Sequence, residues 1–285
     1  MSPLLSESAV REFDQNGFVN TRGLLTAEEV ARYGAAVDAA VSRRTASDTR
    51  SVVDKSTYEQ SFVQCMRLWE TDVAVQPLTF HPGLAQAAAE LLAVPTVRLW
   101  QDQALYKEPG GRVTTAHQDS PFWPIGDVPL ISAWIPFEPT SEASGATGYV
   151  PGSHKAGRLR VVDITHTTEP YEIAKDPALG GRKPVFVGAE PGDVVWHHGL
   201  TVHEARPNTT DRVRRVFTIV YFAEGWPRTD GWLCFPLDRD GVGVGELMEG
   251  PGMPVVWPTP AGGLPAPPPA LGEPTGPQLH PQRQR

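Results

Sequence analysis

Apolar positions near the N-terminus recur at helical spacing: Val30, Tyr33, Val37 and Val41 lie on one face of a segment opened by Thr26-Ala27-Glu28-Glu29. That opening reads as a capping box, in which the Thr26 hydroxyl and the Glu29 carboxylate satisfy backbone donors reciprocally. An alanine-rich run from Gly83 to Leu92 predicts a second helix that stops before Pro95, because a residue preceding proline is pushed out of helical geometry. From Thr96 the pattern changes. β-branched and aromatic residues gather in short runs, Val97 to Tyr106, Leu130 to Phe137 and Val213 to Phe222, separated by Gly, Pro and Asp. Few helical patterns intervene, which predicts an antiparallel barrel or sandwich rather than a parallel sheet with crossover helices. The chain therefore reads as mainly β, buttressed by N-terminal α-helices. We expect one domain over 1–249, with a helical layer over about 1–95 and a barrel core over about 96–235, followed by a Pro/Gly-rich extended or mobile tail over 250–285.

Composition narrows the function classes. With 25 Lys+Arg against 33 Asp+Glu and a net charge of −8, nothing draws the chain to nucleic acid or an anionic membrane, so a small-molecule substrate is expected. Cys65 and Cys234 are too few and too far apart for a disulfide framework or zinc knuckle, and read as plain buried thiols. Met1 to Glu7 has no basic segment leading into an apolar stretch, and no apolar run reaches membrane-spanning length; the expected location is the cytoplasm. Oligomeric state leaves no trace in the sequence.

The chemistry concentrates in His117-Gln118-Asp119 and in Thr201-Val202-His203-Glu204. On a strand, residues i and i+2 share a side, so His117 and Asp119 can reach one metal while Gln118 turns away. Two histidines and a carboxylate are the ligands of a mononuclear non-heme iron(II) centre with an open face for substrates. His198, with His197 beside it, competes with His203 for the third position and otherwise reads as a group orienting a ligand. Arg212, Arg214 and Arg215 compete for the role of a carboxylate clamp; alternation groups Arg214 with Val216, Thr218 and Val220, and Arg215 with Phe217, Ile219 and Tyr221, so only one of these two can point inward, and Arg214 is favoured. Phe122, Trp123, Trp226 and Trp232 fit either a substrate pocket or plain core, while His81, His154, His166 and His280 read as ordinary structural or surface histidines.

These features fall in an ordered series: Phe13-Asp14-Gln15-Asn16-Gly17-Phe18-Val19, Tyr106-Lys107-Glu108-Pro109-Gly110-Gly111, Ala116-His117-Gln118-Asp119, Ala133-Trp134-Ile135-Pro136, Ser144-Gly145-Ala146-Thr147-Gly148, Pro151-Gly152-Ser153-His154, Gly192-Asp193, His198-Gly199-Leu200, His203, Pro207-Asn208 and Arg214. Over roughly residues 8 to 235 the series resembles the phytanoyl-CoA dioxygenase family of iron(II)- and 2-oxoglutarate-dependent oxygenases. The resemblance implies a double-stranded β-helix, a jelly-roll or cupin-like barrel, with iron bound inside near one mouth by His117, Asp119 and His203. It implies Arg214 as partner of the distal carboxylate of 2-oxoglutarate, Trp134 as a wall of the co-substrate pocket, and Gln103 and Gln101 as further co-substrate contacts. Ala205 stands where some relatives carry a serine contact. A carboxylate at Asp119, where related halogenases have a small residue, implies oxygen rather than halide transfer. The implied reaction consumes O2 and 2-oxoglutarate, releases succinate and CO2, and hydroxylates a small organic metabolite, a natural-product intermediate or acyl-type compound. Desaturation, epoxidation, epimerisation and cyclisation stay open as outcomes of the same oxidant. So does a non-catalytic cupin-like protein that binds metal and 2-oxoglutarate; an oxygenase without a 2-oxo acid is opposed by Arg214.

Overall fold

A computed structural model describes residues 2–164 and 171–268. In chain order the elements are α1 (Glu7–Asn16), β1 (Phe18–Thr21), α2 (Ala27–Thr45), β2 (Val63–Met66), α3 (Leu68–Thr71), α4 (Gln76–Thr79), α5 (Pro82–Leu92), β3 (Val97–Lys107), β4 (Thr114–His117), β5 (Leu130–Pro136), β6 (Thr147–Tyr149), β7 (Val185–Phe186), β8 (Val194–His198), β9 (His203–Ala205), β10 (Arg214–Ala223), α6 (Phe235–Arg239) and β11 (Val255–Trp257). The capping box forms as predicted: the Glu29 amide donates to the Thr26 hydroxyl over 3.2 Å and the Thr26 amide to the Glu29 carboxylate over 2.9 Å. Val30, Tyr33, Val37 and Val41 are all buried on the inner side of α2. The second predicted helix is α5, capped by His81 and closed by Ala93 in the left-handed region.

Two antiparallel sheets carry the β architecture. The larger runs β1-β8-β5-β10-β3-β11, with β2 also on β3; the smaller runs β4-β9-β6-β7. This is the jelly-roll expected from the resemblance, though no continuous ladder closes it into a barrel among the described residues. The strands of the large sheet are buried on both faces, so their sequences are apolar almost throughout rather than cleanly alternating. One face, carrying Leu99, Ile131, Ala133, Ile135, Trp196, Phe217, Ile219 and Tyr221, packs with the buried side chains of α2 and α5 in the principal core. Each large apolar side chain taken out of water here contributes about 1.5–3 kcal/mol before ordering costs. The opposite face looks into the interior between the sheets and carries the polar groups of the site.

The stretch from Gly250, expected as an extended tail, is docked over its first part. Met253 and Val256 are buried, and Val255–Trp257 pairs with Arg98 and Val97 of β3. Scattered apolar residues within proline-rich sequence are enough here, because they fill space beside the core cluster of Trp100, Leu237 and Met248. Residues 269–285 lie outside the described residues, as does His166; His280 falls in that same terminal segment.

Candidate active site

Pairing across the large sheet sets out the site in rows on its inner face. Gln101, Val220, Ser132 and His197 are successive cross-strand partners; two residues along, Gln103, Thr218, Trp134 and Val195 form the next row; further on, Lys107 faces Arg214. Strand alternation puts all of these on one side. The small sheet supplies the other wall, where β4 and β9 pair His117 directly with His203.

His117, Asp119 and His203 converge: one donor atom from each lies within 4.8 Å of the other two. The Nε2 atoms of His117 and His203 stand 3.6 Å and 3.7 Å from Asp119 Oδ1. Both histidines use the same local device to aim that nitrogen. His117 Nδ1 meets the carbonyl of Thr115 at 2.7 Å and His203 Nδ1 that of Thr201 at 3.0 Å. A carbonyl can only accept, so Nδ1 carries the proton and Nε2 keeps its lone pair for a metal. Burial and the neighbouring His117 push His203 down to about 3, keeping it neutral. At Asp119 burial raises the pKa, but His203 and hydrogen bonds with His117 and His197 outweigh it and hold the carboxyl well below its usual range. Two imidazole nitrogens and one carboxylate oxygen fit iron(II) in both donor type and number.

The other oxygen of Asp119 is already engaged. His197 Nε2 lies 3.1 Å from Oδ2, and Ser132 donates to the same atom over 3.1 Å. Sequence reasoning put His198 forward to compete with His203 and to orient a ligand, and that expectation is corrected: the inner face of β8 carries Val195 and His197, whereas His198 turns toward Phe13 and His154. The signal was the parity of β8, which could be read only with its starting residue known.

Arg214 is buried at the far end of the cavity. Its Nη1 donates to the Gly145 carbonyl over 2.5 Å, its Nη2 to the Leu105 carbonyl over 3.3 Å, and its Nε is buried without a partner. The guanidinium lies 5.6 Å from the ring centre of Trp134, and burial lowers its pKa to about 10. Lys107, fully buried beside it, donates to the Arg112 carbonyl and is pushed down to about 7 by burial and by Arg214. Neither cation has a carboxylate partner among the described residues. Gly145 permits this crowding: its φ is +83°, and a Cβ there would come within 2.8 Å of the Lys107 side chain. Arg215, by contrast, points to the helical side and pairs with Glu138 and Asp38, while Arg212 is exposed.

Gln101, Gln103, Trp134, Arg214, Ala205 and the three metal-ligand candidates all line one cavity. Phe122 and Trp123 line it too; Trp226 and Trp232 do not. Tyr58, Phe62 and Phe235 add aromatic walls that no periodicity announced. His154 accepts its expected structural role, bonded to the Asp14 carbonyl, and His81 caps α5. Cys65 and Cys234 are buried and outside any disulfide, and no described helix is long and apolar enough to cross a membrane.

Comparison with known proteins points the same way. The 1-deoxypentalenic acid 11-beta-hydroxylase of Streptomyces exfoliatus is 29% identical over 223 residues, covering 73% of this chain and 78% of the hydroxylase. Among solved structures, the non-heme alpha ketoglutarate dependent carbocyclase SnoK from nogalamycin biosynthesis superposes with a TM-score of 0.73 at 26% identity, over 90% of this chain and 99% of its own. The epimerase SnoN, solved with Fe3+, alpha ketoglutarate and nogalamycin RO, gives a TM-score of 0.69 at 26% identity, over 88% of this chain and 98% of its own. The chain spans 62%, 50% and 44% of the length of three phytanoyl-CoA dioxygenase domain-containing protein 1 sequences, from Danio rerio, Caenorhabditis briggsae and Caenorhabditis elegans. The family model described as phytanoyl-CoA dioxygenase matches residues 13–216, a span that takes in α2 to α5, β1 to β9, the three candidate ligands, Lys107 and Arg214. The chain belongs to the phytanoyl-CoA dioxygenase family.

Proposed function

We propose that the protein is an iron(II)- and 2-oxoglutarate-dependent oxygenase that hydroxylates a small, largely apolar organic metabolite in the cytoplasm. The observation that carries this reading is the pairing, in one cavity, of the His117–Asp119–His203 triad with a buried Arg214 that has no acidic partner among the described residues. Iron(II) held by the triad, with 2-oxoglutarate and O2, supplies an oxidant strong enough to take hydrogen from an unactivated carbon, releasing succinate and CO2.

The chain's own residues do the rest. The Thr115 and Thr201 carbonyls hold both imidazoles in the ligating tautomer, and His197 with Ser132 occupies one carboxylate oxygen of Asp119 so that the other is the one presented. Arg214 offers a fixed charge for the distal carboxylate of 2-oxoglutarate, and Trp134 walls that end. Tyr58, Phe62, Phe122, Trp123 and Phe235 line the remaining space, favouring an apolar, ring-bearing substrate and keeping water from the reacting carbon. The likeness to a 1-deoxypentalenic acid hydroxylase and to two enzymes of nogalamycin biosynthesis supports a natural-product intermediate over an acyl-type substrate. Buried Cys65 and Cys234, which form no disulfide, suit a reducing cytoplasm.

The test is anaerobic addition of iron(II) and 2-oxoglutarate. A weak visible charge-transfer band is expected from the native protein and none from His117→Ala, with succinate formed once O2 is admitted. A band of equal strength in the variant overturns the triad, and a band without succinate identifies a binding protein instead. The carbocyclase and epimerase likenesses favour one second reading, ring closure or epimerisation by the same oxidant, which product mass separates from hydroxylation.

A further inference from the structure

Three side chains on the cavity wall form a directed chain. The Tyr58 hydroxyl donates to Gln64 Oε1 over 2.9 Å, and Gln64 Nε2 donates to Gln103 Oε1 over 2.6 Å. All three line the cavity that holds the triad and Arg214. Gln64 sits on β2, two residues out of register from Gln103 and so on the same face: across the ladder it faces Leu105, and Met66 faces Gln103.

The polarity of such a chain is set at its phenol end. A carboxamide can be turned by 180° with little change in shape, so Gln64 and Gln103 together have two self-consistent orientations. Only one of them gives the Tyr58 proton an acceptor. Burial raises the Tyr58 pKa, so the phenol keeps its proton, and Gln64 Oε1 is the acceptor that proton meets. With Tyr58 donating, Gln64 has to offer its carbonyl to Tyr58 and its amide to Gln103, and the Gln103 carbonyl is then consumed. What Gln103 has left is its NH2.

The row in which Gln103 sits gives that NH2 a ligand. Gln103, Thr218 and Trp134 lie between the row of Ser132 and His197, which holds Asp119, and the cationic end at Lys107 and Arg214. A molecule reaching from Arg214 to the metal ligands has to cross this row. Thr218 Oγ1 in the same row is buried without a partner, as is Arg214 Nε. Among the described residues this stretch of wall therefore holds donors that lack acceptors, which suits an anionic, oxygen-rich molecule.

We propose that Tyr58 and Gln64 are positioning residues that lock the Gln103 amide with its donor side toward 2-oxoglutarate. The inference rests on the co-substrate reading above and adds two residues to it. Neither needs to touch the co-substrate. Their effect is to remove the orientation in which Gln103 would set a carbonyl oxygen against a carboxylate.

Binding of 2-oxoglutarate to the Mn(II)-loaded protein, followed by anaerobic calorimetry, tests this without turnover. Gln64→Glu is nearly isosteric, yet it accepts from both neighbours, so Gln103 must donate to it and turn its carbonyl to the cavity. Affinity for 2-oxoglutarate is expected to fall roughly tenfold or more, the scale of a lost hydrogen bond to a charged group. Tyr58→Phe frees the chain to adopt either orientation and should weaken binding by a smaller factor. Mn(II) affinity and the melting temperature should hold in both variants, which a purely structural role would not give. If the native protein binds 2-oxoglutarate and Gln64→Glu binds it equally well, the relay is wrong and the functional reading stands. If the native Mn(II) protein fails to bind 2-oxoglutarate, the reading fails and takes the relay with it.

Discussion

Two buried groups of charges flank the cavity, and they are built on opposite terms. Beside α6, Arg67 and Arg239 share Glu70, at 2.8 Å and 2.7 Å, and Arg239 also meets Asp240 at 3.2 Å. Two guanidiniums are thus matched by two carboxylates, and the ring of Phe235 lies 5.6 Å and 5.1 Å from them. At the other end Lys107 and Arg214 adjoin with no acid paired to either among the described residues. A buried charge costs several kcal/mol unless it is paired. The balanced group explains itself as structure, tying α3 to α6 and holding Phe235 in the cavity wall. The unbalanced group makes sense as half of an ion pair whose other half is a ligand.

The sharpest way to break this contrast is to remove an acid from the balanced side. Glu70→Ala leaves two buried guanidiniums with one remaining carboxylate and should destabilise the protein by about 3–5 kcal/mol in urea unfolding. Arg214→Met should do the reverse. Stability is expected to stay within about 1–2 kcal/mol of native or rise, because a desolvated charge is gone, while 2-oxoglutarate affinity drops roughly a hundredfold or more. A large stability loss in Arg214→Met with co-substrate binding intact would erase the distinction between the two ends.

A milder probe is pH. Lys107 titrates near 7 in the fold against an ordinary value of 10.5. Between these limits the folded chain binds fewer protons than the unfolded one, so stability without ligand should climb as pH rises through that window. Co-substrate binding should move oppositely, weakening several-fold as pH passes upward through about 7 and Lys107 loses its charge. Lys107→Met should flatten both profiles, as read by thermal melts and by titration calorimetry. The smallest change is Ala205→Ser, which puts a hydroxyl on the cavity wall. It should tighten 2-oxoglutarate binding by only a few-fold, about the worth of one added hydrogen bond.

How much of this was legible beforehand depends on the range over which each signal acts. The cap at Thr26, the apolar stripe of α2 and the sidedness of Arg214 against Arg215 are local, set within four residues, and the structure keeps them. His117 and Asp119 were legible for the same reason, and His203 from its motif. The choice between His197 and His198 was not, because it turns on the register of β8 against β5, a contact between distant segments. Tyr58, Phe62 and Gln64 come from a stretch with no apolar period, and only the docking of β2 on β3 brings them to the cavity. Lys107 carries no mark of burial in its own sequence; Gly145 and Arg214 impose it. The docking of Val255–Trp257 was hidden by the composition around it, since prolines and glycines outnumber the two or three side chains that do the anchoring.

Strands β2 and β11 lie end to end along the one side of β3 that β10 leaves uncovered, at Gln103 to Tyr106 and at Val97 to Arg98. They come from positions 63–66 and 255–257, so that margin is finished by segments made at very different times during synthesis. On the ribosome the front part of β3 must wait, its amides and carbonyls unguarded, until almost everything described here has emerged. An unguarded margin recruits strands from other molecules. The short, proline-flanked β11 thus acts as a latch whose late closing sets the interval in which a nascent chain is open to mispairing with its neighbours.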